Sequence, residues 1–235
     1  TQDHADWLSV KRLGNWIRSI GYAGRVSPET LYERLTGAPR GITGAGAETY
    51  AATTIALVTV LTTMREQLKF VTKQIEDRLA EHPDGHIFAS LPRAGTVRAA
   101  RLLAEIGDSR GKFPTAASLA SLAGVTPSTR QSGKVKVVAF RRGANLKLRD
   151  AVCDFAGDTR KSNPWAADMY ERSRARGHTH QHAVRVLARA WVQIIWKCWQ
   201  DGKPYEPERH RALQALLADS GGAVQGNLVA RRTAA

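Results

Sequence analysis

The sequence predicts a mainly α-helical chain in which a long coiled-coil-like helix precedes a compact helical domain bearing a helix-hairpin-helix-like turn and one small β-hairpin. Three observations predict it. Apolar residues recur at Leu57, Leu61, Met64, Leu68, Val71 and Ile75, at alternating intervals of four and three; this is the seam of a heptad-patterned helix, and it needs a partner to cover it. Between Ala183 and Trp199, the residues Leu187, Trp191, Ile194, Ile195 and Cys198 fall on one helical face, so that stretch packs as an amphipathic helix. Lys134, Val135, Lys136 and Val137 alternate beside Ser132-Gly133, which is strand periodicity next to turn chemistry and places Ser132 at the tip of a hairpin.

Taken in order, residues 1–46 hold two short helices and a glycine-rich break. The first helix is expected around Trp7 to Ile20; the second is capped by Ser27, has Pro28 in its first turn and runs to Leu35. GAPRGITGAG, from Gly37 to Gly46, breaks the pattern. The long helix, about Glu48 to Ala80, fills the segment 47–82 and either joins a second chain or packs within its own subunit. HPDG, from His82 to Gly85, ends it and leads into the compact domain, residues 86–205. There the turn in LPRAG feeds a helix whose apolar face holds Val97, Ala100, Leu103 and Ile106. Further helices are expected from Thr115 to Ala123, stopped by Gly124; from beyond Gly143 to about Thr159; and from Pro164 to about Ala175. Pro204 and Pro207 close the ordered part, and residues 206–235, rich in Ala and Gly, read as a short helix and a flexible tail.

Composition narrows the function. The 235 residues are 43% hydrophobic, enough to bury the core of a sizeable domain plus an appendage. The start shows no basic stretch followed by an apolar run, and no segment has about 18 uninterrupted apolar residues, so neither secretion nor a membrane partner is expected. Cys153 and Cys198 each sit inside a helical apolar pattern and read as buried thiols of a reducing compartment, the cytoplasm. The net charge of +14 is localised: residues 109–200 hold 17 Lys and Arg against 5 Asp and Glu. From Ser109 to Arg149 there is no carboxylate, while Arg110, Lys112, Arg130, Lys134, Lys136, Arg141, Arg142, Lys147 and Arg149 are all cationic. A foldable block this one-sided is best neutralised by nucleic acid, with a solvated face or an acidic lipid surface as the alternatives. The cations from Arg130 to Arg149 are the candidate phosphate contacts. Gly95 joins them, because a glycine turn before a helix start offers backbone N–H groups to a phosphate; Arg93 stands where such a turn usually has its first glycine.

The segments LPRAGTVRAARLLAEIGD, KFPTAASLASLAGVTPSTRQSG, FRRGANLKLRDAV and SNPWAADMYERSRARG occur in that order over residues 86–205. Together they resemble the carboxy-terminal, serine-bearing transposase domain of the bridge-RNA-guided insertion-sequence transposases that carry a DEDD-type amino-terminal domain. The resemblance implies DNA strand exchange by a serine nucleophile, and its Ser-Gly motif falls on Ser132 and Gly133, with Ser128 the nearest competitor. It implies DNA and a structured guide RNA as partners, and a prokaryotic, DNA-associated setting. It also implies a preceding nuclease-like domain whose acidic residues bind metal. That domain is expected to be absent here, so no cofactor and no metal site are assigned to this chain, magnesium belonging to the absent domain, and the chain is not expected to recombine DNA unaided. The rival readings are a non-catalytic basic nucleic-acid-binding module and a coiled-coil interaction protein with an incidental basic face.

Two other clusters are weighed as metal ligands. Asp150, Asp154 and Asp158 share a helix face at intervals of four, but are better read as pairing with Arg149, Arg160 and Lys161. His178, His180 and His182 alternate in GHTHQHAV without a nearby cysteine or carboxylate, so a loop leading into the helix at Ala183 is the better account. Trp165, after Pro164 in a basic stretch, is a candidate for stacking on an unpaired base.

Overall fold

The computed structural model describes residues 2–219, apart from the side chains at 3, 4, 45, 130, 136 and 138. The chain divides into two units, Thr1–Lys69 and Phe70–Ala235.

The first unit contains α1 (Gln2–Asp6), α2 (Val10–Ser19), α3 (Pro28–Thr36) and the first part of α4 (Ala45–Glu81). The helix expected around Trp7 to Ile20 starts at Val10 instead, because the Ser9 hydroxyl accepts from the Arg12 amide and caps it there, and α1 precedes it as a separate short helix. Ser27 caps α3 through the Thr30 amide, with Pro28 in the first turn, as its sequence predicts. α2 packs on α3 and buries Leu13 and Ile17. Along α4 the heptad seam faces solvent: Leu57, Leu61, Met64, Leu68 and Val71 are between 48% and 66% exposed.

The second unit is built around one helix. It follows α4 with α5 (Gly85–Ala89), α6 (Gly95–Ile106), a single 3-10 turn at Arg110–Lys112, α7 (Ala116–Leu122), strands β1 (Ser128–Ser132) and β2 (Val135–Ala139), then α8 (Leu146–Thr159), α9 (Pro164–Ala175) and α10 (His180–Asp201). Side-chain oxygens of Thr115, Asn145, Asn163 and Thr179 accept amide hydrogens at the starts of α7, α8, α9 and α10. α10 therefore begins at His180, three residues before the start that its apolar pattern predicts, because Thr179 supplies the cap. α10 packs on α7, α8 and α9, and α6 packs on α5 and α8. Trp191, at the centre of α10, is fully buried; its indole Nε1 donates to Thr159 Oγ1 at 2.9 Å, and its ring meets Phe155, Trp165 and Tyr205 edge to face. At the far end of α10 the buried Asp84 carboxylate accepts from Trp199 Nε1 at 3.0 Å and from Arg110, whose Nε also donates to the Trp199 carbonyl at 2.8 Å.

Past Pro204 the chain stays ordered. Tyr205 and Leu213 are buried, the Tyr205 amide donates to Ser90 Oγ at 2.7 Å, and residues 211–219 are helical. Of the segment 206–235 read as a tail, the part through 219 thus docks on the core through apolar side chains, and 220–235 lie outside the described residues. Cys153 and Cys198 are free thiols, half-buried; burial pushes Cys153 up to about 11, which leaves it protonated and inert. No helix among the described residues is long and apolar enough to cross a membrane.

Candidate nucleic-acid interface

The hairpin pairs Ser128 with Ala139 and Ser132 with Val135, leaving Gly133 and Lys134 as a two-residue turn. Gly133 has φ of 56°, the left-handed conformation that such turns require and that glycine adopts at least cost. The turn is thus one residue later than the Ser132-Gly133 that the sequence suggests: Ser132 is the last residue of β1, exposed beside the turn, and an added Cβ at Gly133 would meet nothing within 4 Å, so a ligand backbone can approach closely there. Among the described residues no side chain hydrogen-bonds the Ser132 hydroxyl.

The hairpin root is held firmly. Arg149, on α8, donates from Nη2 to the Arg141 carbonyl at 2.7 Å, and its guanidinium lies 4.6 Å from the Phe140 ring centre. Gly124, with φ of 63°, clears the space: a Cβ there would fall 2.3 Å from Arg149 Nη2 and 2.6 Å from Ala144 Cβ. The Asn145 amide donates to the Leu122 carbonyl at 2.8 Å, tying the chain after β2 back to α7.

Of the predicted phosphate contacts, Lys134, Arg142 and Lys147 are exposed, Arg141 and Arg149 are half-buried, and none of the five forms an ion pair among the described residues. Arg130 lies in β1 opposite Val137, and Lys136 in β2 opposite Gln131; their side chains fall outside the described ones. Gly95 is exposed at the start of α6 with φ of 57°, and no side chain caps that helix. It lies apart from the hairpin in sequence. The departure at Arg93 has a structural reason. Arg93 itself takes the left-handed conformation, with φ of 58°, and its Nε donates to Asp158 at 2.9 Å.

Asp158 gathers the ion pairs of this side. Besides Arg93 it accepts from Arg98 at 2.9 Å and lies 2.8 Å from Lys161 Nζ, while Asp154 takes a second bond from Arg98 at 2.7 Å. Asp154 and Asp158 are therefore paired, by Arg93 and Arg98 from α6 and its turn together with Lys161, rather than by Arg149 and Arg160, and Asp150 forms no ion pair among the described residues. No group of three or more His, Cys, Asp or Glu among the described residues is placed to hold a metal ion, and Asp154 and Asp158 are already committed to arginines and a lysine. The hydrogen bonds from Lys161 and then Arg93 hold the Asp158 carboxyl well below its ordinary 3.8, against an opposing effect of burial. A carboxyl lowered in the folded state stabilises the fold above its unfolded value, and that contribution is lost as pH falls. Thermal melts are accordingly expected to show Asp158→Asn well below the parent at pH 7, with the gap closing below about pH 4. A gap that stays constant from pH 7 to pH 3 would show that the pairs contribute nothing through this carboxylate.

Trp165 is not a stacking platform. It is 6% exposed, with its ring 5.1 Å from Trp191 and 4.4 Å from His210, because Pro164 turns it into the core between α9 and α10. The three histidines do not converge either. His178 bonds Ser173 Oγ at 2.9 Å and His180 bonds the Tyr170 hydroxyl at 2.8 Å, while His182 stacks on His178.

Sequence reasoning missed the cations of α10. His182, Arg185 and Arg189 recur on one face of that helix and, with Thr126, Phe140 and Arg141, line a cleft of about 430 Å³ at the hairpin root. The signal was present: like 109–149, the stretch from His178 to Gln200 contains no carboxylate.

A helical body that projects a serine on a hairpin rooted among cations without ion pairs is what the fold and the site define, and comparison with known proteins shows what the chain is similar to. Residues 85–171, which include the hairpin, match the family described as Transposase IS116/IS110/IS902. The chain is 37% identical over 152 residues to a 43.6 kDa protein of insertion element IS110 from Streptomyces coelicolor, covering 64% of this chain and 37% of that one. It is 35% identical over 139 residues to a protein named as a candidate transposase for the IS117 mini-circle of the same organism, covering 59% and 34%. Over a longer stretch of 203 residues it is 27% identical to a 44.8 kDa protein of insertion element IS116 from Streptomyces clavuligerus, covering 84% and 49%. The chain thus spans between about a third and a half of the length of these curated relatives.

Proposed function

We propose that this chain is the serine-bearing portion of an insertion-sequence transposase, which grips DNA and a structured guide RNA through its basic face and presents Ser132 for strand exchange. The observation that carries the reading is the place of Ser132: exposed at the tip of a hairpin, beside an open glycine, in a carboxylate-free basic segment inside the region that matches the transposase family. In the step proposed, Ser132 Oγ forms a bond to a backbone phosphorus as the bond from that phosphorus to a deoxyribose oxygen breaks. The hydroxyl proton is lost to a base and the departing oxygen takes one up. Lys134 beside the turn, with Arg130 in β1 and Arg142, neutralises the charge growing on the phosphate.

Among the described residues no acidic cluster is placed to hold a metal ion, and no metal-dependent step is assigned to them. The nuclease-like domain of the family resemblance is the proposed partner for that chemistry. The exposed seam of α4 supports pairing with a second copy, since five large apolar side chains at heptad spacing gain most by burial against their like.

Two measurements test the proposal. Affinity for duplex DNA is expected to fall steeply with salt, by about 0.9 log unit per log unit of salt for each phosphate neutralised; a flat profile would remove nucleic acid as the ligand. A denaturing gel of the chain with labelled DNA and the metal-binding domain is expected to show a covalent adduct that hydroxylamine leaves intact, as suits a phosphate ester of serine. Steep salt dependence without an adduct would instead leave a purely binding module, the reading favoured by the lack of a side-chain partner for the Ser132 hydroxyl among the described residues.

A further inference from the structure

The cleft at the hairpin root has chemistry that strand exchange at Ser132 does not use. One wall comes from the chain on either side of the hairpin, including Val125, Phe140 and Arg141; the other comes from α10, through His182, Arg185, Val186 and Arg189. Three of the lining side chains are guanidinium groups, one is an imidazole and none is a carboxylate. Arg141, Arg185 and Arg189 form no ion pair among the described residues. Arg185 lies 4.8 Å from the Phe140 ring centre, and Arg149 sits 4.6 Å from the same ring, so the phenyl group is flanked by two cations. Cations that converge in a concave site repel one another until an anion enters, and burial together with repulsion from His178 and Arg185 makes His182 a weaker base than an ordinary histidine.

The mixture of linings points to the shape of the ligand. Guanidinium groups suit a phosphate, whereas Val125, Val186 and the phenyl group suit a flat apolar ring. A cavity of about 430 Å³ is in the range of small-ligand pockets and larger than a lone phosphate needs. Its size suits a nucleotide, with the phosphate and the base each facing a lining of its own kind. We propose that this cleft receives a single unpaired nucleotide of the DNA strand engaged at the hairpin, its phosphate held by Arg141, Arg185 and Arg189 and its base laid against Phe140 and Val186. The four residue steps from Ser128 to Ser132 span roughly 13 Å, the rise of about four stacked nucleotides. The nucleotide in the cleft is therefore placed about four positions from the phosphate that faces Ser132. Only that last placement rests on the strand-exchange reading; the cleft and its ligand do not.

The test measures fluorescence anisotropy of the full chain with labelled single-stranded DNA, the matching blunt duplex and single-stranded RNA of the same sequence, at one salt concentration. Arg185→Ala with Arg189→Ala removes the phosphate grip. Val186→Trp keeps every charge and fills the space. Both variants are expected to weaken single-stranded DNA binding by tenfold or more while duplex affinity stays within threefold. Wild-type affinity of Val186→Trp for single-stranded DNA would overturn the proposal, as would an equal loss for duplex and single strand, which marks charge alone, or a loss confined to RNA. Should Val186→Trp lower the melting temperature by more than a few degrees, Phe140→Ala at an exposed position takes its place, since it too keeps every charge, with the same expectations. The adduct gel and the anisotropy titration are separate readouts, so a failed adduct experiment leaves the cleft standing and a failed cleft leaves the serine.

Discussion

Ser132→Ala is expected to reduce strand exchange by at least about 10³-fold, in an assay that supplies the metal-binding domain and the guide RNA, while DNA affinity changes by less than about threefold. The asymmetry follows from what the side chain is. A neutral hydroxyl contributes nothing to counterion release, which dominates affinity for DNA; removal of a nucleophile takes away a bond that exists only along the reaction path. Ser128→Ala is the matched control. Ser128 is half-buried at the root, opposite Ala139, four residue steps from the tip, and its loss is expected to leave exchange within a few fold. Exchange that survives Ser132→Ala, or that is lost only in Ser128→Ala, would move the nucleophile away from the hairpin tip.

The second large effect is on stability. Trp191→Ala is expected to cost about 3–5 kcal/mol, the range for emptying a large aromatic site in a packed core, against a total of about 5–15 kcal/mol for a domain. Trp191 is fully buried, and its edge-to-face partners Phe155, Trp165 and Tyr205 come from α8, α9 and the segment after Pro204, so no single element can collapse into the void. The indole also donates to Thr159 Oγ1, which in turn donates to the Ala156 carbonyl at 2.7 Å. Trp191→Phe keeps most of the volume and loses the donor, and about 1–2 kcal/mol is expected for it. Denaturant titration followed by circular dichroism measures both. A Trp191→Ala loss below about 1 kcal/mol would show that the core repacks freely there.

Much of this architecture is legible from sequence because it is local. Ser27 with Pro28, Thr115 before α7, and Pro164 mark helix starts that depend on residues within one turn. The hairpin likewise follows from its neighbours, although its two-residue turn is Gly133-Lys134, one residue beyond the Ser132-Gly133 that the sequence suggests. What escapes is decided between elements. Nothing near Arg93 announces that its partner is Asp158, 65 residues later, or that this pairing accompanies a left-handed conformation where a glycine was expected. Trp165 reads as an aromatic among cations, yet Trp191 and His210, from α10 and beyond, enclose it. At the site, the hairpin and its serine are legible, whereas the cleft is not: Phe140 and Arg141 meet Arg185 and Arg189 only because α10 returns to pack on α7 and α8.

Arg149 gives the hairpin root a property distinct from mechanical support. Its guanidinium is lodged between Gly124, the Phe140 ring and the Arg141 carbonyl, and its Nε has no hydrogen-bond partner among the described residues. A side chain so confined has little reach toward a passing phosphate, but its charge does not depend on reach. It is a standing positive potential, installed when the domain folds and oriented before any strand arrives. Exposed Lys134, Arg142 and Lys147 must each give up rotamer freedom to make a contact, whereas Arg149 has already surrendered its own to folding, and its field acts on an approaching strand with no reorganisation left to pay for.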